Sequence, residues 1–111
     1  KNKPQEIVTL FERLRERILD LADEGDIIEK ANKIYIGYRH NKNFCEIHIQ
    51  TRLLQIWLDI PNTDLDDPFH IVRDVSKIGH HGTGDSEVRL GDPADIEKVM
   101  YLVEQSFRQT V

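Results

Sequence analysis

Between residues 33 and 60, apolar side chains return at every second position in three successive stretches: about Lys33 to Arg39, Phe44 to Gln50, and Leu53 to Ile60. Alternation with period two is the mark of a strand with one face buried, because successive strand side chains point to opposite faces. The polar turn His40-Asn41-Lys42-Asn43 and the break at Thr51-Arg52 are short enough to make antiparallel hairpins. Pro61 ends the third strand.

A sheet with one apolar face needs a cover, and the flanking segments supply it. From about Pro4 to Asp23, Ile7, Leu10, Phe11, Leu14, Ile18, Leu21 and Ala22 recur at spacings of three and four, which predicts a long amphipathic helix stopped at Gly25. Residues 26 to 32 read as a connector. Asp67-Pro68 has the form of a cap followed by a first-turn proline and predicts a short helix to about Val75. Ser86 to Leu90 reads as a fourth strand. Asp92-Pro93 repeats the helix-start signature and opens a last helix to about Gln109, with Ile96, Val99, Met100, Val103 and Phe107 as its stripe. The expected fold is α+β: a four-stranded, mainly antiparallel sheet with two long helices on one face, in the order α-β-β-β-α-β-α.

The 111 residues suffice for a single domain, with 39% hydrophobic residues for one core. The net charge of −5 argues against a dedicated nucleic-acid binder, which draws its affinity from positive charge against phosphate. Arg13, Arg15 and Arg17 are interleaved with Glu12 and Glu16 and read as a self-compensating helix face. One cysteine, Cys45, excludes an internal disulfide and fits a reducing compartment. No apolar run approaches the roughly 20 residues of a membrane span, and there is no signal-peptide pattern. These features place the protein in the cytoplasm, without a membrane partner. The chain does not begin with Met, so it is expected to be part of a longer protein.

Residues 73 to 90, Arg-Asp-Val-Ser-Lys-Ile-Gly-His-His-Gly-Thr-Gly-Asp-Ser-Glu-Val-Arg-Leu, form a long signature. With Leu10-Phe11 and Leu14, Tyr35-Ile36-Gly37-Tyr38 and Asn43-Phe44, it resembles the bacterial and archaeal domain of unknown function numbered 5655, often labelled "predicted transport protein". The resemblance covers nearly the whole chain. It implies a C-terminal module attached to a larger protein, in some cases beside a nuclease-like region, and carries no established activity.

Three places could hold a function. The glycine-rich loop 79–85 could approach an anion through its backbone, or be a tight turn pinned by His80 and Asp85. It lacks the spacing of a phosphate-binding P-loop. A metal site could draw on His80, His81 and Asp85, with His70 or Asp74, but adjacent histidines point apart and no ligand-pair spacing is present, so no metal or other cofactor is expected. Arg73-Asp74 before the loop and Glu87 and Arg89 after it could lock the loop or grip an acidic ligand. Nucleophilic catalysis lacks a motif, and Cys45 alternates with Ile47 and Ile49 toward the core. The sheet offers the third place. Strand parity puts Ile34, Ile36, Cys45, Ile47, Ile49, Leu54, Ile56, Leu58, Val88 and Leu90 on one face. It puts Tyr35, Gly37, Phe44, Glu46, His48, Gln55, Trp57, Glu87 and Arg89 on the other. With both helices on the first face, the second is either open to a flat ligand or protein partner, or covered as a small second core. The expected ligand-binding residues are Tyr35, Phe44, His48, Trp57, Arg73, His80, Asp85 and Arg89, with no catalytic group among them. The expected partners are the other domains of the parent protein, a separate protein or a second copy in a homodimer, with nucleic acid bound weakly at best. The leading function is a non-catalytic binding or accessory module of a larger prokaryotic protein, one that could act on nucleic acid. The rival is an enzyme or small-ligand domain centred on loop 79–85.

Overall fold

The computed structural model describes residues 3–78 and 84–111. Helix α1 (Gln5–Leu19) turns Ile7, Leu10, Leu14 and Ile18 to one buried side, as their spacing requires. Four antiparallel strands follow: β1 (Ile28–Ala31), β2 (Ile36–His40), β3 (Lys42–Ile49) and β4 (Leu54–Leu58). Next come the two-residue β5 (Arg73–Asp74), then β6 (Ser86–Leu90) and helix α2 (Ile96–Arg108). Among the described residues the sheet has six strands in the order β1-β2-β3-β4-β6-β5, with every pairing antiparallel.

The α+β class and the two long helices match the expectation, and the strand count does not. Both additional strands are edges. β1 lies in the stretch read as a connector, where Ile-Glu-Lys-Ala has no clean alternation. It pairs along β2 and is held by side chains: Glu29 accepts from Arg15 at 2.7 and 3.0 Å and from the Tyr38 hydroxyl at 2.7 Å. β5 replaces the end of the expected helix at 67–75. Asp67 does not cap a helix there. Its Oδ2 accepts from Val72 N–H at 2.8 Å, five residues on, and His70 sits at φ 57. A left-handed residue other than glycine breaks a helix, and the chain leaves the turn extended. At the second Asp-Pro, Asp92 Oδ1 accepts from Ala94 N–H at 2.9 Å, and a 3₁₀ turn, Pro93–Asp95, leads into α2.

The main core lies between the helices and the sheet face carrying Ile36, Cys45, Ile47, Leu54, Ile56, Leu58, Val88 and Leu90. Ser106 on α2 donates to Phe44 O at 2.6 Å, and Asn41 and His40 at the β2–β3 tip bond Thr110 at 2.7 and 2.9 Å. The tip of the hairpin is thereby tied to α2 and to the residues just after it. Ile34 departs from its expected place: it precedes β2 and is 43% exposed. No helix among the described residues is long and apolar enough to cross a membrane.

Candidate functional site

The face of the sheet away from the helices carries two rows of side chains, set by the register. The first runs Lys30, Gly37, Glu46, Trp57, Glu87, Arg73 across all six strands. The second contains His48, Gln55 and Arg89 on β3, β4 and β6, and Tyr35 continues it beyond His48. Directly opposed residues of antiparallel strands share a face and lie close enough to interact.

The first row is closed at its middle. Glu46, Trp57 and Glu87 are 1%, 1% and 3% exposed. Trp57 is therefore not the open aromatic surface that parity alone would allow. Tyr35 meets it edge-on with ring centroids 6.1 Å apart, and the His48 ring stacks on it at 6.4 Å. The segment leaving loop 79–85 runs close by: a Cβ on Gly84 would lie 2.4 Å from the carbonyl oxygen of Leu58. Only glycine lets the chain pass so near β4. Val75, also buried, donates its N–H to Asp85 O at 2.9 Å.

The second row stays half open. His48 Nδ1 lies 3.3 Å from Gln55 Oε1, and Gln50 also donates to that oxygen at 3.1 Å. Arg89 Nε donates to Glu87 Oε2 at 3.0 Å while the guanidinium remains largely in solvent. Its charge compensates a carboxylate that would be costly to bury alone. Arg73, opposite Glu87, has no ion-pair partner among the described residues. Ile71, Arg73, Glu87 and Arg89 line a shallow cleft of about 260 Å³.

Of the expected ligand-binding residues, Tyr35, His48, Trp57, Arg73 and Arg89 thus share one face. Phe44 leaves it. Tyr38 pairs with Cys45 and Arg39 with Asn43, so Phe44 is the extra residue of a β-bulge. The bulge turns its ring into the main core, where it is fully buried and 5.4 Å from Phe107. Asp85 is exposed just before β6, and His80 lies outside the described residues. Asp74 does not pair with Arg73. Its Oδ1 accepts from Ser76 N–H and Oγ at 3.0 and 2.7 Å, and these bonds hold its carboxyl below the ordinary carboxylate range.

Among the described residues, no three His, Cys, Asp or Glu side chains gather closely enough to hold a metal ion. Cys45 is fully buried, and burial raises its thiol well above the usual value, which disfavours the nucleophilic thiolate. Glu46 and Glu87 were legible as members of this face but not as buried carboxylates, because parity says nothing of what covers a strand.

No solved structure matches the chain. An uncharacterized protein of Haemophilus influenzae is 34% identical over 107 residues, and the match spans 96% of this chain but 35% of that relative. The family model described as "Domain of unknown function (DUF5655)" matches residues 1–110. From the first turn of α1 to the end of α2, the chain belongs to the DUF5655 family.

Proposed function

We propose that this domain is a non-catalytic binding or accessory module of a larger prokaryotic protein working in the cytoplasm. It meets a protein partner, the remainder of the parent chain included, with Tyr35, His48, Gln55, Arg89 and the neighbouring Arg73. The observation that carries the reading is the half-open row itself. Its polar, aromatic and cationic groups spread across the sheet and do not converge on a deep concave point, and an enzyme needs convergence. Aromatic and arginine side chains are the types that dominate protein interfaces. The relative, of which the domain covers 35%, leaves ample chain to act as a partner. Net charge −5 and the two buried carboxylates in the neighbouring row count against nucleic acid.

The test pairs this 111-residue chain with the part of the Haemophilus relative that lies outside the matched region. Calorimetric titration of one with the other should show saturable binding that the double change Arg73→Gln, Arg89→Gln weakens about tenfold or more. Absence of binding, or indifference to both changes, rejects the surface. Micromolar binding to mixed-sequence DNA that falls steeply with salt would replace the protein partner with nucleic acid.

A further inference from the structure

A separate notch opens at the β1 end of the same sheet face. It measures about 190 Å³, and Ile28, Lys30, Tyr35, Gly37 and Arg39 are among its lining residues. The notch exists because Gly37 is the one member of the first row without a side chain. Its backbone is not in the left-handed region, so the conformation does not demand glycine. A Cβ there would make ordinary contacts, at 3.7 Å from Tyr35 Cε1 and 3.9 Å from Glu46 Cγ. Glycine weakens a strand relative to alanine, and within strands it often marks the close approach of another group. At Gly37 it leaves room.

Charge gives the second observation. The chain has 20 acidic and 15 basic residues, yet the lining holds two cations and no carboxylate. Neither Lys30 nor Arg39 makes an ion pair among the described residues. The Tyr35 ring and Ile28 add an apolar wall, and Ile28 is 54% exposed. A cavity of about 150 Å³ is enough to take up a benzene ring.

We infer that this notch binds a small anionic ligand: a flat, largely apolar body of one ring bearing a carboxylate or phosphate. The body lies over Gly37 against Tyr35. Arg39, whose planar fork suits such anions, and Lys30 take the charge. The site shares only Tyr35 with the proposed partner surface and does not rest on that reading.

Phenyl phosphate and benzoate are the probes, titrated into the ¹⁵N-labelled 111-residue chain. At least one should give saturable shifts at Lys30, Gly37 and Arg39 with a Kd of about 0.1 to 1 mM. Inorganic phosphate, with the charge but no ring, should bind about tenfold more weakly. Arg39→Gln should weaken the aromatic probe about tenfold. Gly37→Ala should weaken it too, without lowering the thermal midpoint. No saturation by about 10 mM, or equal affinity in Gly37→Ala, overturns the inference. Inorganic phosphate binding as tightly as phenyl phosphate also overturns it, since a bare surface contact with anions would then account for the shifts.

Discussion

The two faces of the sheet are buried by different means. Toward the helices, Ile47, Ile56 and Val88 stand side by side and pack under α1 and α2, so burial there is apolar against apolar. On the reverse, Glu46, Trp57 and Glu87 occupy the equivalent row and are almost as inaccessible, yet two of the three carry a carboxylate. Trp57 is not part of the main core cluster. The first face gains stability from area removed from water. The second pairs its buried Glu87 with Arg89, and it thins to the half-exposed row at His48 and Arg89. On this face a buried carboxylate is held in place by Arg89 while its neighbours remain accessible.

The sharpest test of that contrast is a charge in the helix-side core. Leu14→Asp or Val103→Asp, both at fully buried positions, should cost more than about 5 kcal/mol, comparable with the whole stability of a small domain. Circular dichroism should show the fold lost at temperatures where the parent is intact. A folded variant would mean the helices are not the principal cover.

Trp57→Ala addresses the opposite face. A tryptophan 1% exposed should cost about 3 to 5 kcal/mol on truncation. Its emission in the parent should be blue-shifted and protected from quenchers. Red-shifted, readily quenched emission would show that the second face is open. Gly84→Ala probes the close approach of the segment before β6 to β4. A Cβ 2.4 Å from Leu58 O forces the segment away from β4, which should lower stability by about 1 to 3 kcal/mol in urea denaturation.

The smallest expected effect belongs to the sheet edge. Glu29→Gln removes the charge that ties β1 to Arg15 and Tyr38 and should cost about 1 kcal/mol near neutral pH. The Arg15 hydrogen bonds hold the Glu29 carboxyl below its ordinary range. The folded state therefore binds that proton more weakly than the unfolded state. The contribution is present above the ordinary carboxylate range and is lost as pH falls through the depressed value. Melting curves of parent and Glu29→Gln should differ near pH 7 and converge as pH falls below the depressed value. A gap that persists in acid would assign the effect to packing and not to charge.

The two Asp-Pro pairs show where local reading ends. Asp67-Pro68 and Asp92-Pro93 carry the same helix-start signature, but Ile96, Val99, Met100 and Val103 give the second a stripe to bury on the sheet. After Asp67 there is no such stripe, so side-chain bonding and His70 shape a turn instead. Short helices form where tertiary contacts reward them. The candidate site divides along the same line. Tyr35, His48, Trp57 and Arg89 reach a common face by alternation alone. Phe44 does not, because the β-bulge adds a residue and reverses parity beyond it, and a bulge leaves no mark in the local pattern.

The amino-acid sequence by itself determined α1, α2, the run of β2, β3, β4 and β6, and the apolar face they share. Periodicity states which side chains seek burial, and runs of five residues or more state it clearly. Tertiary structure alone decided β1 and β5, which are four and two residues long and are strands because a neighbour offers them backbone partners. It also decided that Trp57, Glu46 and Glu87 are covered. What lies over a strand is set by segments distant in the chain, and their approach depends on closing those loops in three dimensions.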